Sequence, residues 1–283
     1  MVCMTKKVLI LGAKGMLGQA LARVFSDADL SLWDLNQLDI TDQQQVEQKI
    51  LSLQPQIIIN AAAYTDVDGC ETNEDLAVRV NGLAVGYLAS VAKHLGAILV
   101  HYSTDYVFDG QNSAGYKESD PTNPVNAYGR TKLRGEQELT KKGEKYYLIR
   151  TAWLYGPGGK NFVDTILTKA KSSDKLKVVN DQFGKPTYTL DLAQATRNIV
   201  EQNQPFGIYH ITNQAPASGI TWYEFAQAAV KLKNLSAEIE PCSTEEFPRP
   251  AQRPKYSMLI NTKIKPMREW QEALNDYLKY NYE

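Results

Sequence analysis

A chain of 283 residues is long enough for one large domain or two ordinary ones, with a substantial core, so a disulfide-stapled miniprotein is excluded. With 43% hydrophobic and 22% charged residues and a net charge of −1, the composition is that of a folded globular protein without a global field to draw DNA or an anionic membrane surface. Cys3, Cys70 and Cys242 are odd in number and form no Cys-x-x-Cys pair, and the apolar runs are strand-sized, far below the roughly 18 residues of a membrane span. A cytoplasmic protein that binds neither nucleic acid nor membrane is the expectation.

Residues 7–11 form a short apolar strand ending at Gly12, and 16–25 follow with apolar residues at helical spacing. The unit repeats: strand 30–33, helix 42–53 with Thr41 as N-cap, and an all-apolar strand 56–60. A long helix over 76–95 closes at Gly96, followed by strand 97–102, helix 127–140 and strand 146–150. Continuously apolar strands alternating with helices imply a parallel sheet covered on both faces, hence a doubly wound α/β (Rossmann) fold. Past Thr151 the rhythm breaks at Pro157-Gly158-Gly159, Pro186, Pro216 and the Pro-rich stretch 241–254, which predicts a smaller mixed lobe with helices over 223–233 and 270–279. Residues 1–160 are therefore expected to bind a dinucleotide. Residues 161–283 form mainly a substrate-binding lobe, with some segments returning to the first domain.

Gly12-Ala13-Lys14-Gly15-Met16-Leu17-Gly18 lies between the first strand and first helix, where a pyrophosphate would meet unpaired helix N–H groups. Gly12 permits the tight turn, Gly15 the approach of backbone to phosphate, and Gly18 close helix–sheet packing. Asp34, about 20 residues after the loop, stands where a carboxylate accepts hydrogen bonds from an adenosine ribose, and with no Arg in the following turn this favours NADH over NADPH; a surface turn aspartate is the alternative. Asp39-Ile40 is placed at the adenine edge, unless Asp39 merely precedes a helix cap. Ala61, Ala62 and Ala63 leave room for a flat cofactor beside the third strand.

Tyr128 and Lys132, four apart, share one helix face about one turn apart. A phenol there works near neutrality if a nearby ammonium lowers its pKa. As a motif Tyr-x-x-x-Lys is weak by itself. Ser103-Thr104-Asp105 follows the fourth strand at the carboxyl edge, where open α/β sheets bind ligands, and the Thr104 hydroxyl is suited to polarising a carbonyl; a plain turn is the alternative. The irregular stretch 107–126 is expected to border a pocket.

Together the glycine loop, the hydroxyl residue and Tyr-x-x-x-Lys resemble the extended short-chain dehydrogenase/reductase superfamily. The blocks STDYVFDG, NAYGRTKLRGE, NAAAYTDVDGCE, RTAWLYG, NDQFGKPTYTLDLA and RPKYSML, spread over the chain, resemble more narrowly the dTDP-4-dehydrorhamnose reductase family. The resemblance implies that Tyr128 donates a proton, that Lys132 holds the nicotinamide ribose and supports Tyr128, and that Thr104 orients the C4 oxygen of the sugar. It implies reduction of dTDP-6-deoxy-L-lyxo-4-hexulose by NADH or NADPH. Tyr102 joins the cofactor set, and Asp105, Tyr106, Trp153, Asn161, Gln182 and Arg253 the substrate set, with Trp153 as a stacking face and Arg253 as the diphosphate ligand. A buried core Trp and an ordinary surface Arg are the alternatives. Some members form a magnesium-bridged dimer through glutamates whose matching positions are Ala20 and Leu190 here, so no metal is expected, and a monomer or weak homodimer is. His94, His101 and His210 lack ligand spacing. A nucleotide-sugar epimerase or dehydratase, and a non-catalytic nucleotide-binding subunit, are the rival readings on the same fold.

Overall fold

The computed structural model describes residues 6–282, which leaves Cys3 outside the described residues. Strand β1 (Lys7–Leu11) leads through the glycine loop into α1 (Met16–Val24), then β2 (Asp29–Trp33), α2 (Gln43–Leu53) and β3 (Ile57–Asn60). Asp42, not Thr41, caps α2: its carboxylate accepts the Gln45 N–H at 3.0 Å, while Thr41 donates through both N–H and hydroxyl to Asp39. A carboxylate one residue nearer the helix outcompetes the hydroxyl for the orphan amide.

Residues expected to form one helix over 76–95 are broken. α3 (Val67–Thr72) and α4 (Glu74–Ala77) precede a π-helical stretch, Val78–Leu83, and α5 (Ala84–Leu95), which Gly96 ends in the left-handed conformation. The wide turn aims Asn81 inward, where its carboxamide holds both N–H and carbonyl of Tyr64 at 2.9 and 3.0 Å. Apolar spacing is blind to such a turn, because one extra residue shifts the face without changing composition.

The chain continues through β4 (Ile98–Thr104), a short 3₁₀ turn (Asp105–Val107), α6 (Ala127–Lys142) and β5 (Tyr146–Thr151). The lobe follows with β6 (Leu154–Tyr155), α7 (Phe162–Ala170), β7 (Lys175–Val179), β8 (Phe183–Gly184) and β9 (Thr187–Tyr188). α8 (Thr189–Glu201) and β10 (Gly207–His210) return to the main sheet before β11 (Ile220–Thr221), α9 (Trp222–Leu232), β12 (Glu238–Cys242) and α10 (Trp270–Tyr282) complete the lobe.

The main sheet has six parallel strands in the order β10-β5-β4-β3-β1-β2. α1 and α8 cover one face, burying Leu17, Leu21, Leu192 and Ile199 against Val8, Ile10 and Ile149. The other face packs Val46 and Ile50 of α2, Leu88 of α5 and Leu139 of α6 on Leu9, Leu11 and Ile58. Each such side chain contributes about 1.5–3 kcal/mol on burial, which makes these two layers the rigid frame of the molecule. The lobe has an aromatic core of Tyr155, Tyr188, Phe225, Trp270 and Tyr277. No described helix is long and apolar enough to cross a membrane.

Candidate active site

β1 hydrogen-bonds to β2 on one side and β3 on the other, so the connections leave it in opposite directions and a crevice opens beyond its carboxyl end. The glycine loop and Ala61–Ala62–Ala63 form its two lips. Gly12 has φ +71°, and a Cβ there would lie 2.7 Å from the Ala62 nitrogen. A Cβ on Gly18 would fall 2.1 Å from the Gly12 carbonyl oxygen, so helix and loop meet backbone to backbone. Gly15 is the N-cap of α1 and offers no side chain to the first-turn amides, including those of Met16 and Leu17, which remain for an anion. Next to the loop, Gly12, Trp33, Asp34, Leu35, Leu38, Asp39, Ile40, Thr41, Ala62, Ala63 and Val80 help line a cavity of about 230 Å³. Asp34 is fixed on its rim by the N–H groups of Lys14 (3.0 Å) and Leu35 (2.9 Å). Asp39 lines the same cavity while its Oδ1 accepts from the Thr41 N–H and hydroxyl just before the cap of α2. This cradle of backbone amides and a half-buried carboxylate fits a dinucleotide.

α6 starts at Asn126, whose Oδ1 accepts the Gly129 N–H at 2.7 Å and whose Nδ2 donates to the Gln252 carbonyl at 2.7 Å. Glu71 of α3 accepts the next orphan amide, Ala127 N–H, at 2.8 Å. Three segments thus fix the turn that carries Tyr128. A Cβ on Gly129 would lie 2.1 Å from the Tyr106 carbonyl oxygen, so the helix can lie against the end of β4 only with glycine there. Thr104 donates to Asp105 Oδ1 at 2.9 Å, accepts the Tyr106 N–H at 3.1 Å, and lies within hydrogen-bond reach of the Tyr128 phenol. Lys132, 2% exposed, donates from Nζ to the Tyr102 carbonyl at 2.6 Å.

The electrostatics correct one expectation. Tyr128 is held above the ordinary phenol range, first by burial and then by the neighbouring Asp105 carboxylate, with the Thr104 hydrogen bond opposing. Lys132 is not among the groups that lower it; its ammonium donates to the Tyr102 carbonyl. Burial pulls Lys132 down to about 8, against the attraction of Glu136. Asp105 is pushed up to about 6 by burial, with Ser257 and Thr104 pulling the other way, and its Oδ2 is buried without a hydrogen-bond partner. The phenol therefore rests protonated, as a proton donor must.

Beneath this rim lies a buried ion pair that the sequence reading missed. Glu136 receives Ser103 Oγ at 2.6 Å, Arg150 Nε at 2.9 Å and a second guanidinium nitrogen at 2.7 Å. Glu136 and Arg150 are 4% and 3% exposed, so the pair ties α6 to β4 and β5 in a low-dielectric setting.

On the substrate side, Tyr106 meets the Tyr128 ring edge-on at 6.0 Å. Other expected contacts are differently employed. Tyr102 turns its hydroxyl to Thr196 at 2.8 Å and reaches the site only through its carbonyl. Trp153 is half-buried and stacks one face on Trp222, ring centroids 3.5 Å apart at an interplanar angle of 9°, and a Cβ on Gly184 would come within 2.4 Å of the indole. Its backbone has φ +47°, an uncommon conformation for a non-glycine residue that this packing holds in place. Arg253 donates to Asp68 Oδ1, and Arg249 binds the same carboxylate at 2.8 Å, so both guanidiniums are already paired. Asn161 caps α7 and directs its NH₂ to Gly156 and Asp164. Gln182 donates to Thr244 at 3.0 Å. Ala20 and Leu190 are packed in apolar clusters. Asp68, Glu71 and Asn126 are the functional neighbours the sequence reading passed over, although all three stand inside the quoted blocks.

The family model described as RmlD substrate binding domain matches residues 6–282. The chain is 41% identical over 280 residues to the spore coat polysaccharide biosynthesis protein SpsK of Bacillus subtilis, covering 96% of this chain and 97% of that protein. It is 39% identical to a dTDP-4-dehydrorhamnose reductase of Aggregatibacter actinomycetemcomitans, covering 97% and 99% of the two chains. A crystal structure of dTDP-4-dehydrorhamnose reductase from Bacillus anthracis in complex with NADP superposes with TM-score 0.94 at 37% identity, covering 98% of this chain and 100% of the other. With this likeness running end to end, the chain belongs to the RmlD substrate binding domain family, among the extended short-chain dehydrogenase/reductases.

Proposed function

We propose that the chain reduces dTDP-4-dehydro-L-rhamnose (dTDP-6-deoxy-L-lyxo-4-hexulose) to dTDP-L-rhamnose with NADH or NADPH, in the synthesis of a cell-surface polysaccharide precursor. The observation that carries the reading is the Tyr128 phenol, buried within hydrogen-bond reach of the Thr104 hydroxyl at the carboxyl end of β4, with Lys132 one turn along the same helix. Gly12, Gly15, Gly18 and the first-turn amides of α1 would hold the pyrophosphate of the cofactor, and Asp34 the adenosine ribose. When bound, the reduced nicotinamide supplies a hydride to the keto carbon. Thr104 orients the carbonyl oxygen, and Tyr128 protonates the alkoxide as it forms, so donors act where negative charge develops. Lys132, whose ammonium donates to the Tyr102 carbonyl, would bind the nicotinamide ribose.

Residues 1–160 would bind the dinucleotide and 161–283 mainly the sugar nucleotide. The protein would work in the cytoplasm as a monomer or weak homodimer, without metal, nucleic acid or membrane. Asp34 supports a preference for NADH, whereas the Bacillus anthracis relative was solved with NADP.

Mixing protein, reduced cofactor and the 4-keto sugar nucleotide tests the reading. Consumption of one equivalent of reduced nicotinamide per sugar is expected. An epimerase or dehydratase would convert the sugar with no net consumption, and a regulatory subunit would do neither; either result overturns the proposal.

A further inference from the structure

A nucleotide sugar brings a diphosphate, and most cations around the cleft already have partners. Arg253 and Arg249 share Asp68, and Lys255 lies over the Tyr256 ring. Lys185 differs. It sits in the turn between β8 and β9, and the chain on both sides of it is pinned to the carboxyl edge of the sheet. Thr187 donates its N–H to the Trp153 carbonyl at 3.2 Å and receives the Thr151 hydroxyl at 3.3 Å; Thr151 is the register partner of Thr104. On the other side, Gly184 is packed against Trp153, and the Phe183 carbonyl accepts the N–H of Ser257, the residue beside Asp105.

Lys185 is half-buried and, among the described residues, has no carboxylate or other acceptor for its ammonium; burial alone holds it below the ordinary lysine range. A partly desolvated cation without a counter-ion costs stability in the free protein and is relieved when a ligand brings the anion. We propose that Lys185 is a cation that binds the diphosphate of the sugar nucleotide. The assignment rests on the reading of the chain as a sugar-nucleotide reductase.

Calorimetric titration of the full-length protein with dTDP and with thymidine tests this, using wild type, Lys185→Gln, Lys185→Glu and Lys185→Arg, each checked for undisturbed NADPH binding. Lys185→Gln should weaken dTDP binding at least ~10-fold, equivalent to about 1.4 kcal/mol, and leave thymidine unchanged. Lys185→Glu should weaken it further, and Lys185→Arg should retain most of it. If both Gln and Glu variants bind dTDP within twofold of wild type, or if thymidine and dTDP weaken equally, the assignment is overturned. A wild type that binds dTDP through Lys185 yet reduces no 4-keto sugar would overturn the reductase reading and leave the anion site standing.

Discussion

Asp105 should make the protein less stable at neutral pH than its amide would. The carboxyl group is 2% exposed, takes the Thr104 hydroxyl on Oδ1 and has no partner on Oδ2. Burial places it at about 6 in the folded chain against an ordinary 3.8. The native state then binds more protons than the unfolded state between these values, so stability is full below the lower one and is lost as pH rises through the higher one. Integrating that difference gives a cost of about 0.6 kcal/mol at pH 4 and about 3 kcal/mol at pH 7. A carboxamide in the same place carries no such charge. Asp105→Asn should therefore gain about 2–3 kcal/mol over wild type at pH 7, or about 5 °C in Tm at roughly 2 °C per kcal/mol for a chain this long. The gain should shrink to near zero at pH 4. Turnover should move the other way, falling roughly 10–100-fold, because a charged acceptor for Thr104 contributes about 1.5–3 kcal/mol. Urea unfolding and calorimetry from pH 4 to 8 measure the first effect, and cofactor oxidation the second. A stability difference that does not change with pH, or a variant less stable than wild type at pH 7, would refute the reasoning.

Tyr128→Phe should lower kcat by about 10²–10⁴-fold with NADPH affinity within twofold of wild type, read by turnover and by fluorescence titration; near-normal turnover would remove Tyr128 as the acid. Glu136→Gln should destabilise by about 3–5 kcal/mol in urea, since it strands the Arg150 charge, while pairing it with Arg150→Met should recover most of the loss. The same substitution removes the attraction that opposes the burial of Lys132, so Lys132 should titrate further below about 8. Asp34→Asn should cost about 10-fold in the specificity constant for NADH and little for NADPH, measured with both cofactors side by side; an equal loss for both would show that Asp34 does not read the ribose.

Much of this site was legible because its chemistry is carried by backbone geometry that constrains residue type. Gly12 and Gly18 occupy places where a Cβ would clash with the Ala62 nitrogen or the Gly12 oxygen, and four-residue spacing brings Tyr128 and Lys132 onto one helix face. What stayed hidden was pairing between distant segments. Nothing local indicates that Asp68 binds two arginines more than 180 residues later, or that Trp222 lies over Trp153. The same blindness explains the expected coupling of Lys132 to Tyr128: helical spacing gave proximity, but the acceptor of the ammonium comes from β4. The broken helix before Gly96 was missed because Asn81, the residue that rewards the wide turn, finds its partners on other segments at Tyr64 and Thr131.

The distribution of charge across the site separates two physical tasks. Deep in the frame, Glu136 has Arg150 and Ser103 as partners, and its removal should be felt mainly as instability. Among the described residues, by contrast, Asp105 Oδ2 is buried without a hydrogen-bond partner and the half-buried Lys185 ammonium has no acceptor, while burial keeps Tyr128 neutral. A protein that gained nothing from these groups would be more stable with Asn and Met in their places. Their cost is recovered only when a bound ligand supplies the missing donors and charges, so substitutions at the rim should stabilise the free chain as they weaken ligand binding. The buried pair beneath should show the reverse order, with stability lost first.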